Sequence, residues 1–536
     1  MLTLEIFHAL FLSWLRLAIG LAISVFISFF LGILAGINKT AEKIIIPIVD
    51  ILQSIPILGF FPVAVYFFVY FVPYLGLELA AIFLIITSQV WNLIFAVYES
   101  VRSIPAYIIE VAELSNLNIF QKIYKIYIPN SWPRVIGNFP ISWAIGLYFL
   151  SSSEIISLGT TSYQLLGIGS LIFKLFEMND FNDLFISFIF LILAIIATHI
   201  LFFRPLDEWS KKFKYQFVGE EEKIRRPWFI SAFIRTTRPL SSLATRTIIP
   251  RIPISPFIKK QNLEPTYTLV VKEIKNSYFK NKTLYHITKI IKYIFFISFI
   301  ALLIYFIYLF YYPISQVFSL LLQTSLLVNL LLATGYSALR ILISVILMMP
   351  IIFLGIFIAV NKKAKRFLLP IILIIASIPA PLFIPLMILI LGPSINIISI
   401  LVIISGSMWY IFYNVYSAIS SIPLEIKEVV FLSNLSRFQK FSKFYFPAML
   451  PGLITGSITA VGGAWNALIV AEWIQIGNNT YYVYGLGAII DEAASTGNLN
   501  LLYAALIFMV FVVVLLDRTL WKKLYDYATS KFRYER

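Results

Sequence analysis

Charged residues are scarce in this sequence, and cysteine is absent. Only 13% of the 536 residues are charged and none is cysteine, whereas 60% are hydrophobic. In soluble domains roughly a quarter of all residues are charged. This composition therefore excludes a soluble protein and predicts a polytopic membrane protein. Without cysteine, disulfides, thiol catalysis and cysteine-ligated metal sites are excluded.

Histidine and catalytic motifs are equally sparse. The three histidines, His8, His199 and His286, lie far apart and have no ligand spacing, so we expect no metal site. We find no nucleophile motif and no paired-acid motif, and therefore predict no catalytic residue. The net charge of +16 does not indicate nucleic acid, because membrane proteins concentrate Lys and Arg on their cytoplasmic side.

Apolar segments long enough to cross a bilayer recur along the chain. The first begins at the N-terminus and is too long for a signal peptide, so it is expected to be retained. Four more are predicted in the first half, at 44–71, about 77–98, about 134–157 and about 184–203. The second half opens with an extra span at 291–312 and continues with five more. The fold class predicted is all-α, with about 11 spans in total.

An internal duplication relates the two halves. The stretch ELSNLNIFQK at 113–122 returns about 318 residues later as FLSNLSRFQK at 431–440. This match lies in a half-polar stretch, where similarity of composition alone does not explain it. Three further pairs align, namely GILAGINK with GIFIAVNK, PIVDILQSIP with PIILIIASIP, and WNLIFAVY with WYIFYNVY.

A basic segment separates the copies. From Arg204 to Lys289 it carries about 18 Lys or Arg against about 7 acids and shows no helical or strand periodicity. We predict a first repeat at 1–206, a basic linker at 207–289, and a second repeat with the extra span at 290–536. The linker is expected to tether the two repeats and set their topology; the alternative is that it binds the lipid surface or has a regulatory role.

The extra span makes the two repeats parallel, since five spans alone would invert the second copy. Basic residues then fall on one side together with the linker and the C-terminal tail, and acids such as Glu78, Glu177 and Asp183 fall on the other. The two loops that contain Ser-Asn-Leu, at 115–117 and 433–435, are called the SNL loops. The protein is expected in the cell membrane, and the positive-inside rule predicts that the linker, the C-terminus and both SNL loops face the cytoplasm. Parallel repeats are typical of transporters.

Each SNL loop is predicted to form a helix–turn–helix elbow. A short helix begins near Ser103 and Pro105 and ends at Leu114, or at Leu432 in the second copy. Asn116 and Asn434 then occupy the turn, where asparagine tolerates left-handed dihedrals. A second short helix follows, and Pro129 and Pro447 precede the next span. An amphipathic connector resting on the membrane is the alternative.

The elbows resemble the EAA loop of ABC-importer permeases, whose pattern is E-A-A-x3-G-x9-I-x-L-P. The matching residues are Glu110, Ala112, Asn116, Ile126, Ile128 and Pro129 in the first copy, and Glu428, Asn434, Phe444, Phe446 and Pro447 in the second. Asn replaces the loop glycine twice and valines replace alanines. The stretch GGAWNALIVAEW, which contains Trp465, is similar to nitrate/sulfonate/taurine-type permeases.

This resemblance implies the membrane subunit of an ATP-driven importer whose elbows dock on separate ATPase subunits. ATP and Mg would be bound by those partners, and this chain has no G-x4-G-K-[ST] loop for a nucleotide. Two fused permease units imply two ATPases, identical or different, and a solute-binding protein as a further partner. The cargo implied is a small anion such as a sulfonate or nitrate. The alternative is an ATP-independent secondary transporter built from duplicated halves.

Two acids and two glycine pairs complete the candidates. Glu154 and Glu472 occupy equivalent places near the outer ends of spans, where they either line or gate the pathway with Trp465 or cap backbone groups. Gly167 with Gly169, and Gly485 with Gly487, are expected to make tight turns in external loops. They lead into short segments at about 169–178 and 487–496, which either receive a binding protein or form re-entrant plugs.

Overall fold

The computed structural model describes residues 2–53, 56–155, 165–213, 315–422, 424–433, 435–476, 479–521 and 523–524. The predicted span at 291–312, most of the basic linker and the tail from residue 525 lie outside these ranges. Within them, eight helices are long and apolar enough to cross a membrane, or up to nine if one bent pair counts as a span. The prediction of an all-α polytopic membrane protein is confirmed.

Ten α-helices are found among the described residues of the first copy. They are α1 (Leu2–Ile37), α2 (Lys39–Gln53), α3 (Phe61–Phe71), α4 (Gly76–Arg102), α5 (Ala106–Leu114), α6 (Ile119–Lys122), α7 (Ile128–Ile155), α8 (Ile168–Glu177), α9 (Phe181–Thr198) and α10 (Arg204–Ser210). A π-helical turn, Ile123–Tyr127, joins α6 to α7, and another, His199–Phe203, joins α9 to α10.

The second copy repeats this order within the described residues. Its helices are α11 (Thr324–Met348), α12 (Ile351–Val360), α13 (Lys362–Ala376), α14 (Ile384–Leu391), α15 (Ile395–Ser420), α16 (Leu424–Leu432), α17 (Arg437–Lys440), α18 (Phe446–Glu472), α19 (Leu486–Ser495) and α20 (Leu499–Leu516). A π-helical turn, Phe441–Tyr445, joins α17 to α18. A hairpin of β1 (Trp473–Ile476) and β2 (Asn479–Tyr482) follows α18 and pairs antiparallel, with Trp473 opposite Tyr482.

The prediction of one continuous span at 44–71 is wrong. Helix α2 ends at Gln53, and a 3-10 turn at Leu58–Phe60 leads into the separate helix α3. In the second copy the two equivalent helices meet at a bend of 78°. In both copies the first of the two helices ends directly before the sequence Ser-Ile-Pro, at 54–56 and 377–379. Proline disfavours helical dihedrals in the residue before it and has no N–H to donate, which explains the break.

Close helix packing holds each copy together. In the first copy α1 lies against α4, and a Cβ added at Gly32 would sit only 2.7 Å from the Val97 Cβ. In the second copy α15 lies against α18, and a Cβ at Gly452 would sit 2.7 Å from the Asn414 carbonyl oxygen. Small residues at these crossings let the backbones approach, which is how helices associate in lipid.

The two copies exchange equivalent contacts. The turn after the break in the first copy packs on α18, where the Leu58 N–H donates to the Asn466 side-chain oxygen over 3.3 Å. The corresponding turn of the second copy, Ala380–Phe383, packs on α7, and the Phe383 ring stacks on Phe188 at 5.7 Å. Such reciprocity is what two parallel repeats around a central axis produce.

Candidate transport cavity and coupling elbows

A cavity of about 530 Å³ lies between the two copies. Its described wall includes residues of α2, α4 and α7 from the first copy and of α13, α15, α18 and α20 from the second. Its aromatic residues are Trp91, Trp409, Trp465, Trp521, Tyr148, Tyr410, Tyr413 and Phe149. Trp465 lies in the wall, whereas neither Glu154 nor Glu472 is among the described lining residues.

Glu154 is buried in a network with α1. Its carboxylate accepts hydrogen bonds from the Ser13 hydroxyl at 2.7 Å and from Arg16 at 3.3 Å. Arg16 also forms a bidentate pair with Glu78, at 2.5 and 2.6 Å. A third donor to Glu154 is the backbone N–H of Gly169, at 2.7 Å, in the first turn of α8. The carboxylate therefore caps α8 and neutralises a buried arginine.

The second copy builds the same network around Glu472. Its carboxylate accepts from the Ser337 hydroxyl at 2.8 Å, from Arg340 at 2.6 Å and from the Gly487 N–H at 2.8 Å. Where the first copy has Glu78, this copy has Asn396, whose side-chain oxygen accepts from Arg340 at 3.1 Å. Among the two readings of these acids, capping of backbone groups is the one for which contacts are present.

The glycines have a different reason from the expected tight turn. Gly167 and Gly485 are extended, with φ of −168° and −179°, which any residue can adopt. A Cβ at Gly485 would instead lie 2.2 Å from the Glu472 carboxylate, and one at Gly167 would lie 1.9 Å from that of Glu154. Glycine is needed because the carboxylate lies so close to the backbone that no space remains for a Cβ. The short segments themselves are α8 and α19, within one residue of their predicted positions.

Arg16 and Arg340 are the members of these two networks that were not predicted from the sequence. Both lie in long apolar helices, α1 and α11, and both are almost fully buried. A signal was present, since S-W-L-R at 13–16 and S-A-L-R at 337–340 are equivalent stretches of the two copies. An arginine within a span needs a partner, and Arg16 has two in the first copy, Glu78 at a separation of 62 residues and Glu154 at a separation of 138.

The first elbow turns at Asn116, as predicted. Helix α5 ends at Leu114 and Asn116 has φ 52°. The Leu117 N–H bonds to the Ala112 carbonyl at 3.0 Å and the Asn116 N–H to the Glu113 carbonyl at 2.9 Å, which is the Schellman pattern. Glu110 is exposed and Ala112 is buried. Ser103 does not cap α5, because the residue at the N-terminal cap is Pro105, where no side-chain cap bond is made; the Ser103 hydroxyl donates to the Ser100 carbonyl at the end of α4.

The second elbow shares this design where it is described. Helix α16 ends at Leu432 as predicted, and Glu428 is exposed, whereas Asn434 lies outside the described residues. Both elbows then begin their next helix with a capping box, a feature that was not predicted above. Asn118 and Gln121 exchange hydrogen bonds of 2.8 and 3.0 Å, and Ser436 and Gln439 exchange bonds of 3.2 and 2.9 Å.

The second helix of each elbow is not a separate element. Helices α6 and α7 form one span from Ile119 to Glu154, and α17 and α18 form one from Phe438 to Glu472. A π-helical turn precedes Pro129 and Pro447 in each case. The wider π-helical turn accommodates the proline ring and the loss of one backbone hydrogen bond. The helix therefore continues where a break was expected.

Large apolar side chains are exposed on both elbows. Equivalent positions in the two copies are Val111 and Val429, Leu114 and Leu432, and Phe120 and Phe438. Leu114 is 84% exposed and Leu432 is 79% exposed. Side chains of this kind mark surfaces that contact another protein or the membrane.

Two parallel helical copies with a cavity between them and paired elbows define a membrane transporter subunit. The chain belongs to the family of binding-protein-dependent transport system inner membrane components, whose family model matches residues 28–206 and again 351–519. The resemblance that the sequence predicted is therefore confirmed.

Individual relatives are permeases with different cargo in their names. The nitrate import permease protein NrtB of Leptolyngbya laminosa is 29% identical over 166 residues, 31% of this chain and 57% of the relative. The putative aliphatic sulfonates transport permease protein SsuC of Bacillus subtilis is 28% identical over 182 residues, 33% of this chain and 63% of the relative. The bicarbonate transport system permease protein CmpB of Synechococcus elongatus is 28% identical over 181 residues, 33% and 60%. The chain thus matches less than two thirds of their length.

Proposed function

We propose that this chain forms the solute pathway of an ATP-driven importer and couples to two separate ATPase subunits through its elbows. The observation that carries the proposal is the repeated elbow, in which an exposed acid and exposed apolar side chains recur in both copies. Glu110 and Leu114 are four residues apart on α5, so they share a face. A face that mixes a carboxylate with leucine suits a groove in a protein better than hydrocarbon.

Coupling would run along the helix that continues each elbow. The helix from Ile119 to Glu154 passes the cavity at Tyr148 and ends at the network around Arg16. Movement of the elbow by an ATPase would therefore reach the cavity wall without an intervening hinge loop. ATP binding drives transport only if it favours one of the two states of the permease energetically.

The two elbows differ, which bears on their partners. Glu113 pairs with Lys122 at 3.2 Å in the first elbow, whereas Phe431 and Lys440 occupy these positions in the second. Two ATPases of different sequence would fit this asymmetry. ATP and Mg would be held by the partners, the elbows would face the cytoplasm, and a solute-binding protein would deliver cargo from the other side. The relatives' names favour a small anion as that cargo.

Co-purification tests the proposal. The tagged chain, extracted in mild detergent, should retain ATPase subunits that contain a phosphate-binding loop, detected by mass spectrometry. Glu110→Arg with Glu428→Arg should insert normally and lose those subunits, whereas the exposed acid Glu177→Gln should retain them. A chain that transports with both reversals in place, and without any ATPase, would instead be the secondary transporter.

A further inference from the structure

Four cationic side chains lie near the base of the second elbow. Lys363, Lys365 and Arg366 are exposed near the start of α13, and Lys427 is partly buried in α16. We call these four residues the basic cluster. None of them forms an ion pair with an acid whose side chain the structure describes. The cluster therefore presents positive charge that the described part of the chain does not neutralise.

Two lysines of the cluster lie together at the C-terminal end of α15. The Lys365 Nζ lies 5.8 Å from the centre of the Tyr416 ring, and the Lys427 Nζ donates to the Ser420 carbonyl at 3.0 Å. Tyr416 and Ser420 are four residues apart in the last turns of α15, so they lie on one face of that helix. Burial and the positive charge of Lys365 lower the pKa of Lys427. Repulsion between these ammonium groups is thus unbalanced, and a bound anion would relieve it.

The first copy places an acid at the equivalent position. Glu42 stands there in the place of Lys365. Its carboxylate accepts a hydrogen bond from the Tyr98 hydroxyl at 2.6 Å and lies 3.7 Å from an Arg102 nitrogen. Tyr98 corresponds to Tyr416 of the second copy. The two copies therefore differ in the sign of the charge beside this tyrosine.

An exposed apolar stripe continues from the cluster along α13. It consists of Phe367, Ile371 and Ile375, which are 64%, 50% and 47% exposed. These residues follow Lys363 at intervals of four, which places them along one side of the helix. Helices α13 and α14 together are apolar enough to cross a membrane, with a bend of 78° between them. In such a segment exposed apolar side chains contact acyl chains, and a lysine at its end extends to the level of the headgroups.

We propose that the basic cluster and the apolar stripe together bind an anionic phospholipid from the leaflet on the side of the elbows. Its phosphate lies among the ammonium groups, and one acyl chain lies along Phe367 and Ile371. Anionic headgroups are attracted to basic residues at the ends of spans. A soluble anion would use the cations and leave the stripe unused, and an acidic protein would not follow the stripe into the membrane. Phospholipid is thus the ligand that fits both parts of this surface.

The bound lipid would act on one elbow and not on the other. Lys427 belongs to α16, the first helix of the second elbow, whereas the other three members of the basic cluster belong to α13. A phosphate between them would tie α16 to α13 and limit the movement of the second elbow. In the first copy Ile109 occupies the position of Lys427, so the first elbow has no cation there to hold a lipid. This lipid site does not depend on what the chain transports.

Lipid titration of the purified full-length chain in detergent, followed by native mass spectrometry, tests this site. Dioleoylphosphatidylglycerol is the anionic probe and dioleoylphosphatidylcholine the neutral one. We expect one phosphatidylglycerol to bind more tightly than any phosphatidylcholine. Lys365→Glu with Lys427→Ile installs the residues of the first copy and should weaken that binding at least about tenfold, since each cation contributes about fivefold. Lys39→Glu with Lys43→Ile makes the same change of charge at exposed lysines of α2 and, as the matched control, should bind as the parent does.

Three results would overturn the lipid site. They are no preference for phosphatidylglycerol, equal binding by the two double variants, and displacement of the lipid by a similar concentration of glycerol phosphate, which has the phosphate without acyl chains. ATPase co-purification is measured on the same preparations. If Lys365→Glu with Lys427→Ile keeps the lipid but loses the ATPases, the basic cluster contacts protein and the lipid site is rejected. If this variant does not fold, Lys363→Thr, a change to the residue of the first copy, replaces it and should weaken lipid binding about fivefold.

Discussion

At Asn116 a single backbone dihedral decides the direction of the elbow. Its φ of 52° lies in the left-handed region, where glycine and asparagine are tolerated and β-branched residues are strained. The Schellman bonds on either side require this conformation, because they close only if the chain reverses there.

We therefore expect Asn116→Gly to bind the ATPase as the parent chain does. Asn116→Val should reach the membrane but bind weakly, since holding valine in this conformation costs about 1–3 kcal/mol. Pull-down of the ATPase by the three chains measures the difference. If glycine fails as badly as valine, the asparagine side chain itself makes the contact and the backbone explanation is wrong.

The buried arginines give a second prediction at this scale. Arg340→Gln leaves the Glu472 carboxylate, which is 0% exposed, without its cation, and losing one partner of a buried pair costs about 3–5 kcal/mol. Thermal unfolding in nanodiscs should show a large loss for Arg340→Gln and partial recovery when Glu472→Gln is added. Arg134→Gln breaks the exposed pair with Glu99 and should cost about 0–1 kcal/mol. Equal losses from the two arginines would contradict the burial argument.

At the scale of elements, the joint between α18 and α19 depends on a missing side chain. The Glu472 carboxylate fills the place where a Cβ of residue 485 would be, and it must stay there to cap α19. The same arrangement joins α7 to α8. A larger residue at Gly167 or Gly485 would clash with the carboxylate, although the extended backbone dihedrals at both positions suit any residue.

Gly485→Ala should accordingly destabilise the chain by about 1–3 kcal/mol, the usual cost of overpacking. Gly335 lies in the interior of α11 with nothing within 4 Å of a Cβ, so Gly335→Ala should be neutral or stabilising. Thermal unfolding of both variants compares a crowded glycine with an open one. An unchanged midpoint for Gly485→Ala would mean that the carboxylate can move aside.

Some of these elements could be predicted from the sequence and others could not. The long helices and the ends of α5 and α16 were predictable, because apolar runs and turn residues act over a few positions. The capping boxes at Asn118 and Ser436 are equally local and could have been found. The pair between Arg16 and Glu154 joins residues 138 apart, and the cavity joins two copies. Both depend on tertiary packing, which local patterns do not encode.

For the whole molecule, the main prediction concerns orientation. Charge asymmetry predicts that the elbows and the linker face the cytoplasm and that α8 and α19 lie at the outer side. The cysteine-free chain allows single cysteines to be labelled from outside with an impermeant reagent. Met178→Cys and Tyr482→Cys, at exposed positions, should be labelled, whereas Phe120→Cys and Ser241→Cys should not. The opposite pattern would invert the molecule.

The exchange of contacts between the copies also has a consequence in time. The acceptor for the Leu58 N–H belongs to Asn466, which lies 408 residues further along the chain. At about 5–20 residues per second, the ribosome needs roughly 20 to 80 s to make that distance. Through most of this interval the residues of the second copy that line the cavity have not yet been synthesised. The cavity therefore forms only after the second copy has been synthesised and inserted, so its completion is among the last events of biogenesis.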